Sequence, residues 1–170
     1  MSAGTVVWFT GLPQSGKSTL AKRVQSRLRR AARPVVLLDG DAVRASLARP
    51  PGFSARARHD FYLTLARLAA LLARQGLTVL VPATANRARH RALARALAPR
   101  FVEVYVATPL GDCERRDTKG LYRAARSGRA SALPGVGVRF DVPRRPEVVA
   151  RGGRDRVALA KLLARLSVRG

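Results

Sequence analysis

The sequence predicts an α/β fold of three layers, a parallel sheet of about five strands with helices on both faces. Two observations predict it. Short apolar runs rich in β-branched residues alternate with amphipathic stretches along most of the 170 residues, the order that a sheet covered on both faces requires. A glycine-containing loop, "GLPQSGKST" from Gly11 to Thr19, joins the first such run to the first amphipathic stretch. That junction is where open parallel sheets hold phosphate.

The elements follow in order. "TVVWFTG" (Thr5 to Gly11) is apolar on both alternating faces and reads as a buried parallel strand. In "KSTLAKRVQSRLRRA", Leu20, Val24 and Leu28 recur four apart on one helix face. "PVVLLD" reads as a second buried strand, closed by "DGD". A long helix follows, with Ser54 as N-cap and Gly76 as its stop. "LTVLVPA" is a third strand, "RARHRALARALA" a helix and "FVEVYVAT" a fourth strand; "PLGDCERRD" opens a helix with Pro near its first turn. From Thr118 to about Pro146 Gly, Pro and Arg dominate, with one helical piece, "KGLYRAAR". Basic excursions of this length are commonly functional lids, with a disordered surface loop as the other reading. "EVVAR" adds a fifth short strand and "DRVALAKLLARL" a closing amphipathic helix.

Length predicts one domain over residues 1–170. Aromatic residues are only 5% of the chain, so the core must rest on Val, Leu and Ala. No apolar run approaches the roughly 18 residues of a membrane span, and no secretory signal pattern opens the chain. One cysteine, Cys113, excludes an intrachain disulfide framework and fits a cytoplasmic protein, where a small buried helix residue is its ordinary role. The net charge of +23 rests on 33 Lys plus Arg. These are spread along the chain and are not interleaved with aromatics, so non-specific attraction to polyanions is expected rather than a specific nucleic-acid site.

The opening loop fits G-x-x-x-x-G-K-[ST] with Gly11, Gly16, Lys17 and Ser18, and Ser15 lies within it. It follows a strand and opens a helix, the context that marks a P-loop nucleotide site. Backbone amides would turn toward phosphate, Lys17 would reach the β- and γ-phosphates of ATP, and Ser18 would join a Mg²⁺ shell; Thr19 supports the α-phosphate. The second constellation, "LLDGDAVR", stands at the carboxyl end of the second strand and so beside the loop. Asp39 reads either as a helix cap or as a ligand-site carboxylate. Asp41 reads as a carboxylate that orients an acceptor hydroxyl or holds Mg²⁺, and Arg44 as a holder of an anionic acceptor. No GTPase-type D-x-x-G switch follows in the expected place, which favours a small-molecule kinase over a switch.

Together with "GFS" and "CERRDTKGLYRAARSG", these motifs resemble the adenylyl-sulfate kinase (APS kinase) family from about Thr5 to Pro146. The resemblance implies ATP- and Mg²⁺-dependent phosphorylation of the 3′-hydroxyl of adenosine 5′-phosphosulfate (APS), and a homodimer as a common assembly. It implies that Asp41 stands near the 3′-hydroxyl and the metal, that Arg44 and Arg58 hold anions on the acceptor side, and that Phe53 stacks the acceptor adenine rather than filling the core. Arg116 and Lys119 match basic residues at the base of the lid. His59 and His90 match nothing catalytic and are expected at the surface.

The chain departs from the family pattern at Pro13 and Gln14 in the loop, and on the acceptor side at Phe61 for asparagine and at Ala83, Thr84 and Ala85 for "ISP". Thr84 keeps a hydroxyl there. Leu133 stands where a second stacking Phe is usual, and Gly137 replaces an acid. Two other readings therefore stand beside APS: a kinase of another small anionic or hydroxylated acceptor, and an inactive nucleotide-binding protein with a basic surface.

Overall fold

The computed structural model describes residues 3–129 and 133–167; the part of the expected lid at 130–132 lies outside them. Strand β1 (Thr5–Thr10) leads into α1 (Lys17–Arg30), β2 (Val35–Leu37), α2 (Gly40–Ser46) and α3 (Ala55–Arg74). Next come β3 (Thr78–Pro82), α4 (Ala88–Leu97), β4 (Phe101–Val106), α5 (Leu110–Arg115) and α6 (Leu121–Arg126). A short pair, β5 (Leu133–Pro134) and β6 (Gly137–Val138), precedes β7 (Val148–Ala150) and α7 (Arg156–Ser167). The main sheet has five parallel strands in the order β2-β3-β1-β4-β7, the expected class.

Strand β1 lies between two partners and buries both faces. Val7 and Phe9 point into one layer with Leu20, Val24 and Leu28 of α1 and Leu162 of α7. Val6 and Trp8 point into the other, with Phe61, Leu65, Ala66 and Ala69 of α3. Such two-sided burial explains why the strand reads as an apolar run without alternation. Strand β2, expected to be buried, is an edge strand and only half-buried along its length. Its edge place leaves one row of backbone groups and part of each side chain uncovered.

Ser54 caps α3, accepting from the Ala57 amide at 3.1 Å, and Gly76 takes φ +91° just after the helix ends, the left-handed stop that glycine favours. Cys113 is buried in α5, as expected.

The two histidines are not surface residues. His90 is 2% exposed because α4 packs on α3, with its ring 4.9 Å from that of Tyr62. Burial lowers its pKa from 6.5 to about 4, and Arg89 pushes the same way. His59 is half-buried with its ring 5.7 Å from His90.

The segment after β6 is stitched back to α4. Asn86 Nδ2 donates to the Arg139 carbonyl at 3.1 Å, and the Asp141 amide donates to the Asn86 carbonyl at 2.7 Å. Arg91, 4% exposed, donates through Nε to Glu103 at 2.7 Å and through its two terminal nitrogens to the carbonyls of Ala85 and Asp141. Among the described residues no helix is long and apolar enough to cross a membrane.

Candidate active site

The loop after β1 enters α1 through Gly16, which takes φ +100°. A Cβ there would lie 2.5 Å from the Gly153 amide nitrogen, and a Cβ on Gly153 would lie 2.7 Å from the Gly16 carbonyl oxygen. Backbone therefore meets backbone between the loop and the β7–α7 turn, an approach only glycine permits. Gln14, where the family commonly has glycine, adopts φ +61°. The loop keeps its left-handed step at a cost of about 1–2 kcal/mol. Thr108 Oγ1 donates to the Ser15 carbonyl at 2.7 Å, and the Tyr122 hydroxyl donates to the Pro13 carbonyl at 2.8 Å. These contacts brace the loop from the end of β4 and from α6.

No side chain caps α1, and its first turn contains no acid. Its open amides and positive end can therefore receive an anion. Gly16, Lys17, Ser18 and Thr19 line the cleft in front of it, while Gly11 and Ser15 lie buried behind them. Lys17 Nζ donates to the carbonyls of Gly11 at 3.1 Å and Leu12 at 2.7 Å. Burial lowers its pKa from 10.5 to about 8, against the opposing pull of Asp41, Cys113 and Asp39.

This lowered pKa has a sign. A bound triphosphate favours the ammonium form, so above pH 8 the complex holds a proton that the free protein has lost. Nucleotide affinity is therefore expected to be level up to about pH 8 and then to fall by up to about tenfold per pH unit. Titrating the dissociation constant from neutral to alkaline pH checks it; a level affinity to pH 10 overturns it.

The two carboxylates of "DGD" divide. Asp39 accepts a hydrogen bond from Ser18 Oγ at 2.6 Å through one oxygen, and from the Asp41 amide at 3.0 Å through the other. It is thus the cap of α2, one of the two readings of the sequence, and it also touches the phosphate loop through Ser18. Asp41 instead faces Lys119, whose Nζ donates to it at 2.8 Å. That bond raises the Lys119 pKa. Hydroxyl and carboxylate oxygens are the hard donors that Mg²⁺ takes alongside phosphate, so Ser18, Asp39 and Asp41 fit that ion.

Across the cleft, Arg44 donates to the carbonyls of Pro51 at 2.7 Å and Gly52 at 3.2 Å. Arg58 Nε donates to the Phe53 carbonyl at 2.8 Å. Phe53 is 60% exposed and so is no core residue. Thr84, Leu133, Arg116 and Lys119 line the same cleft. The Thr84 carbonyl accepts from Thr10 Oγ1 at 2.6 Å, and Ala85 takes φ +40°. Proline, fixed near −65°, cannot adopt that angle, so the turn after β3 runs a path closed to the family's usual proline.

Four residues at the site escaped sequence reading. Thr108 and Tyr122 act through backbone carbonyls of the loop, and Gly153 through a missing Cβ. Phe61, noted only as a departure, lines the cleft. Tyr122 lay within the quoted "KGLYRAAR" stretch without a role, and the "RGG" ahead of α7 was the signal for Gly153.

Comparison with known proteins agrees with this geometry. The family model described as adenylylsulphate kinase matches residues 3–151. An adenylyl-sulfate kinase of Synechococcus sp. is 42% identical over 148 residues, 87% of this chain and 85% of the relative. One of Vibrio vulnificus is 40% identical over 169 residues, 97% of this chain and 82% of the relative. The solved structure of the Mycobacterium tuberculosis APS kinase CysC in complex with AMPPNP and APS superposes with a TM-score of 0.91 at 38% identity, over 98% of this chain and 99% of that one. A gluconokinase from Sinorhizobium meliloti shares the fold at 17% identity and a TM-score of 0.63, over 97% of this chain and 92% of that one. The chain belongs to the adenylylsulphate kinase family.

Proposed function

We propose that this chain is a single-domain kinase that transfers the γ-phosphoryl group of ATP to the 3′-hydroxyl of adenosine 5′-phosphosulfate, with residues 118–146 as its lid. The observation that carries the reading is one continuous cleft of about 1740 Å³ joining the phosphate loop, Asp41 and the Arg44–Phe53–Arg58 group. A single small ligand commonly occupies about 300–1,000 Å³, so this cleft has room for donor and acceptor together. Family membership supports APS as the acceptor.

In this reading the open amides of α1 hold the donor phosphates, and Lys17 offsets charge on the transferring group. Magnesium, when bound, neutralises phosphate charge, and Ser18, Asp39 and Asp41 would hold it. Asp41 orients the acceptor 3′-hydroxyl and takes its proton as the oxygen bonds to the γ-phosphorus and the bond to ADP breaks. Phe53 offers one stacking face to the acceptor adenine, with Leu133 opposite in place of a second ring. Loss of that second ring weakens acceptor binding by about 0.5–1.5 kcal/mol without abolishing it. Arg44 and Arg58 place positive charge beside the acceptor, and Arg116 and Lys119 close the basic lid over both nucleotides, excluding water.

Coupled ADP release tests the assignment. APS, AMP and simple sugars are offered in turn with MgATP, and turnover is expected with APS alone. ADP release with another acceptor and none above background with APS overturns the substrate.

A further inference from the structure

The cleft contains an arrangement that the family resemblance does not describe. Arg44 Cζ lies 4.1 Å from the ring centroid of Phe61 and 4.7 Å from that of Phe53. Phe61 is 4% exposed and packs into the core with Trp8 and Leu65, so its ring is fixed. Phe53, by contrast, is exposed on the irregular stretch before α3. Arg44 bridges the fixed ring and the exposed one, and it holds the backbone just before Phe53 through the Pro51 and Gly52 carbonyls. Arg58 completes the support, bonded to the Phe53 carbonyl with its Cζ 5.5 Å from the ring.

An exposed aromatic side chain loses rotamer freedom when a ligand stacks on it, which weakens binding unless the ring is already held. A guanidinium shared between two rings supplies that hold, and its attraction strengthens as water is excluded. The hold matters more here because Leu133, which lines the same cleft, stands where a second stacking ring is usual in the family. We infer that Phe61 is a positioning residue that fixes Arg44 and, through it, Phe53 as the acceptor-binding face. The inference rests on the proposed reading of Phe53 as the surface on which the acceptor base stacks.

A double-mutant cycle on steady-state kinetics with ATP and APS tests it, using Phe61→Leu, Phe61→Tyr, Arg44→Ala and Arg44→Ala with Phe61→Leu. Phe61→Leu is expected to raise the KM for the acceptor roughly two- to thirty-fold, the range that one cation–π contact spans. The KM for ATP should stay level. Phe61→Tyr keeps the ring and is expected to restore the wild-type KM. In the Arg44→Ala background the Leu substitution should add nothing. Phe61→Met replaces Phe61→Leu if thermal melting shows the latter unfolded at assay temperature.

Equal rises in both KM values, failure of Tyr to rescue, or an undiminished Leu effect without Arg44 each overturn the inference. If the wild type uses a different acceptor, the APS assignment falls while the same cycle, read on that acceptor's KM, still decides the role of Phe61. Absence of turnover with every acceptor overturns both.

Discussion

Asp41→Asn is expected to lower the turnover number with APS by about 10²- to 10⁴-fold, the usual contribution of a positioned acid–base group. The KM for ATP should change less than the turnover number, because Lys17, Ser18, Thr19 and the amides of α1 are untouched and Ser18 and Asp39 still offer oxygens to Mg²⁺. Asn keeps the size of the side chain and still accepts from Lys119, so the loss reports the carboxylate's charge and basicity toward acceptor and metal. Folding should be unaffected. The Asp41 side chain is 79% exposed, and the capping of α2 belongs to Asp39. Exposed ion pairs such as Asp41–Lys119 add at most about 1 kcal/mol to stability. Unchanged turnover with an unchanged melting temperature would remove Asp41 from its assigned role. A large rise in the KM for ATP instead would place its main work on the donor side.

Arg91→Leu carries the largest expected effect on stability. The guanidinium is buried and spends its donors on Glu103, the Ala85 carbonyl and the Asp141 carbonyl. Removing it leaves a buried carboxylate with a weaker partner, since Arg95 stands 3.7 Å from the other Glu103 oxygen. Breaking a buried pair from one side typically costs about 3–5 kcal/mol. The remaining Arg95 contact places the expected loss toward the lower end. Denaturant unfolding measures it directly. Adding Glu103→Met should recover part of the loss, because the uncompensated charge goes with it. A single-variant loss below about 1 kcal/mol would mean that water or Arg95 replaces the guanidinium, and would refute the argument.

How much was legible beforehand depended on where the physical cause lay. The phosphate loop was legible because its requirement is local: a strand, a turn that needs left-handed backbone, and a helix start, all within a dozen residues. Even there, Gln14 shows that the conformation outlives the glycine. The sheet followed from apolar runs, but periodicity cannot say which run lies at an edge, so β2 was expected deeper than it lies. His90 looked like a surface residue because nothing in "RARHRALARALA" distinguishes the face of α4 that packs on α3. The Arg91–Glu103 pair was invisible for a similar reason: its partners come from two elements and two loops. Phe61 stood out in sequence only as a mismatch. Its relation to Phe53 is tertiary, made by Arg44 between the two rings.

The close approach of Gly16 to Gly153 has a consequence for the order in which the protein is made. The phosphate loop is synthesised before the surface it leans on, which lies 137 positions later in the chain. At about 5–20 residues per second of synthesis, the loop waits several seconds for its support. Contacts this distant in sequence also slow folding of the complete chain, since closing the long loop comes before any reward. A nascent chain halted before the glycine pair would carry the whole nucleotide motif and still lack the packing that shapes it. The shape of the phosphate loop thus depends on the turn between β7 and α7 as well as on its own sequence.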